Sequence, residues 1–242
     1  MLRRPTIRPS GCTDCSTYSP HGFGLLSAAA LREFHSLGIC HHYQSHIAFI
    51  HEGFPADHVV IICSGRVKLV ASSSEGRLLL LRVAGPGDIL GLATLFQGAL
   101  HRVNAETVVP SNIKSISRAD FLGFVETYPE VAHITSRALA REYNSAVLSA
   151  RRLALHHSAA GKLASTLLDW ARMDELDNSP AHTTLPISFR MQLTHEELGS
   201  MAGLSRETTT RLLTRFRLDG QVEQIRDCIT LNHPDQLETR YD

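Results

Sequence analysis

The chain has 242 residues, and its 24 basic side chains balance its 24 acidic ones, so its formal net charge is zero. This length allows one large or two ordinary domains, and the balance of charge excludes nucleic-acid binding through a general positive field. No apolar run approaches the roughly 20 residues that cross a bilayer, and no apolar segment follows the N-terminal arginines, so we expect a cytoplasmic protein without a secretory signal. Its 5 cysteines are expected to be reduced, metal-bound or buried, and its 14 histidines to be scattered over the surface.

The first predicted segment, residues 1–26, is irregular because prolines and glycines interrupt it. It contains Cys12 and Cys15, whose CxxC spacing can place two thiolates on one metal ion or iron–sulfur cluster. The pair is half of a site, and the remaining ligands would come from His21, Cys40, Cys63 or a neighbouring histidine. A redox-active dithiol and two unligated thiols in a tail remain open alternatives.

Residues 27–128 combine a short helix with a run of strands. An amphipathic helix is predicted over 27–37, with Leu31 and Phe34 facing inward. From residue 41 to residue 116 the apolar segments are short, and turn signals separate them at intervals of about ten residues, which predicts an antiparallel sandwich or barrel. The sequence therefore predicts an α+β protein whose N-terminal part is a small antiparallel β-roll.

A long helix is predicted from Pro129 to about His156, after a short helix that follows Arg118. Its apolar positions recur every three or four residues and are Val131, Ile134, Ala138, Leu139, Tyr143, Ala146, Ala150 and Leu153. Such a seam is typical of a two-stranded helix pair, so we expect a homodimer through a dimerisation helix over 129–157. The alternative is a helix packed on its own barrel.

The last predicted domain, residues 158–242, opens with a helix capped by Ser158 and continues with a solvated loop from Asp174 onward. The stretch from Gln192 to Gly220 then has the pattern of two helices joined by a tight turn, a helix-turn-helix. Two short apolar runs around Asp227 follow it and predict a hairpin wing.

The two helices of this motif have recognisable start and stop signals. Thr194 is a natural N-cap, and Glu197, three residues later, completes a capping box. Gly203 supplies the positive φ that ends the first helix. Ser205 caps the second helix, whose predicted core side chains are Thr208, Leu212, Leu213 and Phe216.

The opposite face of the second helix is polar and mostly basic, which suits the major groove of double-stranded DNA. Arginine can donate two hydrogen bonds to guanine, glutamate can accept one from cytosine, and threonine can meet a base edge or a phosphate. The predicted DNA-binding residues are Thr194, Ser205, Arg206, Glu207, Thr210, Arg211 and Arg215. A winged helix that binds another protein is the alternative. We expect no enzyme, because no nucleophile with a base, phosphate-cradling loop or zinc-protease motif is recognisable.

The order of parts, a barrel, a long helix and a winged helix-turn-helix, resembles the Crp–Fnr superfamily of bacterial transcription regulators over nearly the whole chain. The matching signatures are Gly65–Leu69, Gly87–Gly91, Ser205–Thr208 and Thr210–Leu213. The resemblance implies a cyclic-nucleotide-binding-like roll of the cupin type, and a dimer that binds a pseudo-palindromic DNA site through residues such as Arg206, Glu207 and Arg211. It also implies RNA polymerase as a partner.

The predicted effector pocket, made of Gly91, Leu92, Arg102 and Val103, departs from the cyclic-AMP-binding members of that superfamily. Those members carry a glutamate where Leu92 stands. Leucine cannot accept a hydrogen bond from a ribose hydroxyl, and an unpaired buried hydroxyl is costly. We therefore do not expect cyclic AMP as the effector.

The N-terminus resembles the oxygen-sensing Fnr-like branch, whose members hold a 4Fe–4S cluster on three N-terminal cysteines and one barrel cysteine. Cys12 and Cys15 match two of these, while His21 stands near the third and Lys114 near the barrel cysteine. The resemblance thus implies either a variant cluster completed by Cys40 or Cys63, or a site that has decayed. It implies a redox, oxygen or small-molecule signal at the N-terminal or β-roll region.

Overall fold

The computed structural model describes the backbone of residues 6–8, Phe23, and residues 26–156, 158–178 and 186–241. The chain separates into two compact units, one comprising 1–77 with 81–144 and the other comprising 78–80 with 145–242. Both helices and antiparallel sheets are present, so the predicted α+β class is confirmed. Within the described residues, no helix is both long and apolar enough to span a membrane.

The β-roll consists of two antiparallel sheets with the orders β1-β2-β9-β4-β7 and β3-β8-β5-β6. Its strands are β1 Thr6–Arg8, β2 Ile39–Tyr43, β3 Ala48–Ile50, β4 His58–Ser64, β5 Val67–Ser72, β6 Leu78–Ala84, β7 Ile89–Leu90, β8 Asn104–Thr107 and β9 Ser111–Ser117. Alternate apolar side chains, among them Ile62, Val67 and Ile113, form a buried core between the sheets. The predicted antiparallel roll is therefore confirmed, with β1, β2 and β7 in addition to the strands that the sequence indicated.

A second core lies between the roll and its helices, α1 Ala28–Ser36, α2 Leu92–Gln97, α3 Arg118–Thr127 and the start of α4 Pro129–Leu155. Ser27 caps α1 and Ser117 caps α3, each accepting a hydrogen bond from a backbone amide of the first turn. The rings of Phe23 and Phe34 stack with their centroids 4.6 Å apart. These contacts fix the helices on one side of the roll.

Helix α4 does not present its whole predicted seam to solvent. Val131, Ile134 and Ala138 are buried in the core that the roll shares with its helices. The alternative interpretation, a helix packed on its own barrel, therefore holds for the first turns. Further along, Tyr143 is 70% exposed and Val147 38% exposed, so an apolar stripe remains uncovered there.

The second unit is built on α5 Ala159–Asn178, α6 His195–Ala202, α7 Arg206–Leu218 and α8 Pro234–Tyr241, with the sheet β10-β12-β11 beside them. Its strands are β10 Ile187–Arg190, β11 Val222–Ile225 and β12 Cys228–Leu231. Strands β11 and β12 form the predicted wing, whereas β10 had no counterpart in the prediction. Ser158 caps α5 as predicted, since its Oγ accepts from the Gly161 amide at 2.8 Å. The loop expected from Asp174 is wrong as far as residue 178, because α5 continues that far.

A buried ion pair fixes the last turns of α4 within the second unit. Nη1 of Arg152 lies 2.8 Å from Oδ2 of Asp169 on α5. Nη2 of Arg152 donates to the Met201 carbonyl at the end of α6 and to Oγ of Ser149, both at 3.3 Å. Arg152 is only 2% exposed and Asp169 only 7%, and the Arg152 side chain joins α4, α5 and α6 within the second unit.

Candidate nucleic-acid interface

The turn between α6 and α7 is fixed by several local interactions. Oγ1 of Thr194 accepts from the Glu197 amide at 3.2 Å, and the Thr194 amide donates to Glu197 Oε2 at 2.9 Å, which is the predicted capping box. Gly203 ends α6 with φ 68°, as expected for a left-handed cap. The Leu204 amide then donates to the Gly199 carbonyl at 2.8 Å. The first helix and the turn are therefore held by hydrogen bonds at both ends.

Helices α6 and α7 pack closely against each other at Gly199. A Cβ atom on this residue would lie 2.7 Å from Oγ1 of Thr209 and 2.9 Å from the Leu204 carbonyl oxygen. Real Cβ contacts of this length are essentially never found, so only glycine fits without a shift of one helix. The buried hydroxyl of Thr209 in turn donates to the Ser205 carbonyl at 2.9 Å.

Helix α7 has one buried face and one polar face. The buried side chains are Thr209, Leu212, Leu213 and Phe216. Thr209 thus takes the core position that was predicted for Thr208, which is only half-buried, and the prediction for Thr208 is wrong. Ser205 caps the helix by accepting from the Thr208 amide at 3.2 Å, as predicted.

The polar face carries Arg206, Glu207, Thr210 and Arg211, and all four are exposed. They occupy the first two turns, where the unpaired amides give the helix a partial positive charge that attracts phosphate. Hydrogen bonds from its own backbone amide and from the Ser205 side chain lower the pKa of Glu207, so its carboxylate is ionised at neutral pH and accepts hydrogen bonds. The arrangement can therefore meet both acceptors and donors on base edges.

The other predicted DNA-binding residues have structural partners. Thr194 and Ser205 act as helix caps. Nε of Arg215 lies 3.8 Å from Asp219 Oδ2, and its guanidinium lies 5.7 Å from the centroid of the Tyr241 ring. Arg215 therefore flanks the polar face rather than standing at its centre.

Two residues of this interface were missed by the sequence reasoning. Nδ1 of His195, the first residue of α6, lies 2.9 Å from Oγ1 of Thr210 and fixes that side chain on the polar face. Gly199 was also missed, although a glycine inside a predicted helix is a signal of close packing. Both connect α6 with α7, so they belong to the geometry of the interface.

The predicted effector residues lie on the roll in different surroundings. Leu92 begins α2 and is fully buried in the core beneath the helices, whereas half-buried Val103 packs against the core between the sheets. Gly91 caps α2 with φ 85°, and Arg102 is exposed. A partly buried ion pair lies elsewhere on this unit. In it, Nη1 of Arg82 lies 3.6 Å from Oδ2 of Asp88.

The described part of the predicted metal site does not fit the four-thiolate cluster of the Fnr-like branch. Cys40 lies on β2 opposite Lys114 of β9. Lys114 is buried, donates to the His35 carbonyl at 3.4 Å and lies over the Phe34 ring, so an amine occupies the position of the barrel cysteine. Cys12, Cys15 and His21 lie outside the described residues. Within the described part of the chain, no three histidine, cysteine, aspartate or glutamate side chains are arranged to hold a metal ion.

Comparison with known proteins matches both units. Residues 40–128 match the cyclic nucleotide-binding domain family, and residues 161–240 match the Crp-like helix-turn-helix domain family. The cAMP-activated global transcriptional regulator CRP of Pasteurella multocida (strain Pm70) is 30% identical over 174 residues, which cover 72% of this chain and 80% of that protein. The chain belongs to the Crp–Fnr family of transcription regulators.

Other Crp–Fnr proteins extend the likeness over nearly the whole chain. The nitrogen fixation regulation protein FixK of Bradyrhizobium diazoefficiens is 28% identical over 239 residues, covering 96% of this chain and 95% of FixK, which belongs to the Fnr-like branch. The structure of FixK2 from Bradyrhizobium japonicum shares the fold, with a TM-score of 0.70 at 21% identity, covering 85% of this chain and 98% of that chain. The predicted family is confirmed, and so is the prediction of a regulator rather than an enzyme.

Proposed function

We propose that this Crp–Fnr regulator binds DNA as a dimer and reads base sequence with the polar face of α7. The observation that carries the proposal is the contrast between the two faces of that helix. One face is buried in the unit's core, and the other exposes Arg206, Glu207, Thr210 and Arg211. Because the chain has no net positive charge, binding must depend on this local surface rather than on a general field.

The second half of α4 supports a dimer. Its exposed residues Ala140, Tyr143, Val147, Ala150 and Ala154 are spaced by three and four in turn, which is the spacing of a coiled-coil seam. Two copies paired along this stripe would present two α7 helices to successive major grooves. The target is then a pseudo-palindrome whose half-sites are about one helical turn, 34 Å, apart. Transcription control from such a site involves RNA polymerase as the further partner.

Arg211→Ala tests base reading. We expect a loss of about 1–3 kcal/mol in specific binding and relaxed preference at one base position, because a bidentate contact to guanine is removed. The measurement is affinity for a library of randomised sites in excess non-specific DNA. Arg77→Ala, which removes the same charge from an exposed position on the roll, is the control. If Arg211→Ala weakens binding equally on every sequence, Arg211 does not read a base. If the wild-type protein itself loses all DNA binding in excess random DNA, the protein-interaction alternative is favoured.

Val147→Glu tests the dimer. A charge placed in the seam should convert dimer to monomer at micromolar concentration, as measured by light scattering after gel filtration, because burying an unpaired carboxylate is costly. Leu100→Glu makes the same change at a 51%-exposed apolar residue on the roll and should leave the dimer intact. A wild-type monomer, or a dimer unaffected by the Val147 change, contradicts the proposed seam.

We further propose that the signal acts through the roll or the N-terminal segment and that cyclic AMP is not the effector. The CRP of Pasteurella multocida is described as cAMP-activated, but here a buried leucine stands at the position of the ribose-binding glutamate. The predicted iron–sulfur or other metal ligands Cys12, Cys15, His21 and Cys40 are tested by iron and sulfide analysis of protein purified without air. A colourless, metal-free protein that still binds DNA would eliminate the cluster.

A further inference from the structure

The roll contains a cleft that neither the DNA-binding surface nor the predicted effector residues include. Its volume is about 270 Å³, and it lies among β2, β3, β4, β9 and the turn that precedes β4. Four histidines line it, His41, His51, His58 and His101. Cε1 of His101 is 3.5 Å from the position that a Cβ atom on Gly91 would occupy, so the cleft is a neighbour of the start of α2.

The floor of this cleft is apolar and its sides are aromatic. Ile50, Val60 and Ile113 form the buried floor. The rings of Tyr43 and Phe49 lie 5.2 Å apart at one side. At the rim, Phe54 is exposed, and its ring lies 5.8 Å from the imidazole of His51. An apolar group can therefore be covered on several sides, while the π faces attract positive charge.

The electrostatics of the cleft favour a cation over an anion. Asp57 is a carboxylate in its lining, and no lysine or arginine is among the lining residues that the structure describes. Burial lowers the pKa of His101 against the opposing effect of Asp57, so this imidazole is neutral at neutral pH and adds no positive charge. Nδ1 of His41 is buried without a hydrogen-bond partner, and in one tautomer it can accept a hydrogen bond.

The abundance of histidine does not make this cleft a metal site. No group of three potential ligands within the described ranges is arranged for a metal ion. An occupant must instead satisfy separate features, namely a carboxylate, a ring face and an apolar floor. A small molecule that joins a positive head to a short apolar arm satisfies all three.

We propose that this cleft binds a small organic cation, an amine or a quaternary ammonium with an apolar substituent. The charged head lies against Asp57 and the faces of Tyr43 and Phe54, and the apolar arm covers Ile113 and its neighbours on the floor. The site requires no DNA and no dimer, so its test does not depend on the proposed function of the regulator.

Two phenyl probes of similar size and opposite charge decide the question. Benzylammonium and benzoate are titrated into the full chain at pH 7.5, and saturable binding is measured by calorimetry and by ¹H–¹⁵N chemical-shift changes. We expect benzylammonium to bind and to shift amides of β2, β3 and the turn before β4, with benzoate at least about tenfold weaker because it is repelled by Asp57. Tighter binding of benzoate, or no saturable binding of benzylammonium, overturns the proposal.

Asp57→Asn is the matched variant. Because Asp57 is exposed, loss of its charge should weaken benzylammonium about threefold to tenfold while the melting temperature stays unchanged. Glu126→Gln removes an equivalent exposed carboxylate outside the cleft and should leave binding as in the wild type. Equal affinity of the wild type and Asp57→Asn, or an equal loss in both variants, contradicts the assignment of the cation to this cleft. Phe54→Leu is a second test, because it removes an aromatic ring face at an exposed position and should weaken benzylammonium binding. An unchanged affinity in this variant also counts against the assignment.

Discussion

The ion pair between Arg152 and Asp169 gives the sharpest quantitative prediction. Replacing Arg152 by Met leaves the Asp169 carboxylate buried without its 2.8 Å partner and removes the donor to the Met201 carbonyl. Breaking a buried pair by removing one partner costs about 3–5 kcal/mol, because the remaining charge stays desolvated. With Asp169 only 7% exposed, water cannot readily replace the lost donor, so we expect about 3 kcal/mol of destabilisation at least.

Removing both charges should cost much less than removing one. Burial lowers the pKa of Arg152 although the attraction of Asp169 acts to raise it. The cost of desolvating the guanidinium therefore offsets the stabilisation that the ion pair supplies. Apolar side chains of similar size often replace such a pair without loss. We therefore expect the double variant Arg152→Met with Asp169→Leu to lie within about 1 kcal/mol of the wild type.

The assay is urea unfolding followed by tryptophan fluorescence. The chain has one tryptophan, Trp170, which follows Asp169 on α5 and donates to the Arg190 carbonyl at 3.2 Å, so it reports on the second unit. Arg151→Met is the control, because it removes the same charge from an exposed neighbour on α4. A loss below 1 kcal/mol for Arg152→Met, or a double variant as unstable as the single one, refutes the reasoning.

Two further predictions concern stability. Gly199→Ala should destabilise the second unit by about 1–3 kcal/mol, because the added methyl group overpacks against Thr209. Gly123→Ala in α3, where nothing lies within 4 Å of the new Cβ atom, should instead stabilise the protein by about 0.5–1 kcal/mol. Equal effects of the two variants in chemical unfolding would contradict the close approach at Gly199. Burial raises the pKa of Glu142 above its usual 4.5, while the charge of Arg82 opposes this shift and that of Asp88 adds to it. Protonated Glu142 therefore stabilises the fold fully below pH 4.5, and this stabilisation is lost as pH rises through the raised pKa. Glu142→Gln should remove this decline, which thermal unfolding measures as pH rises above 4.5, and curves that stay parallel to the wild type would refute the assignment.

The sequence was most informative where neighbouring residues determine the backbone conformation. Thr194, Gly203 and Ser205 each need only their immediate neighbours to cap or end a helix, so the helix-turn-helix was predictable in detail. The roll was predictable for a similar reason, because glycine-bounded apolar runs are a local signal. Its short strand β7, of two residues, was not, because it carries too little pattern.

The errors came from choices that depend on tertiary packing. Thr208 and Thr209 are adjacent and chemically identical, and only the position of α6 decides which of them is buried. The stripe on α4 could serve a partner helix or the roll, and its first turns are buried against the roll. The polar run after Met173 resembled a loop, but α5 continues to Asn178.

The close packing at Gly199 limits what any signal can change in this regulator. Because Gly199 lacks a Cβ atom, α6 packs closely against Thr209 and the turn that precedes α7, and closely packed elements resist displacement. We therefore expect the motif to keep its internal geometry when its position changes. Occupancy of promoters should then rise or fall with the signal, while the preferred operator sequence stays the same in the induced and uninduced protein.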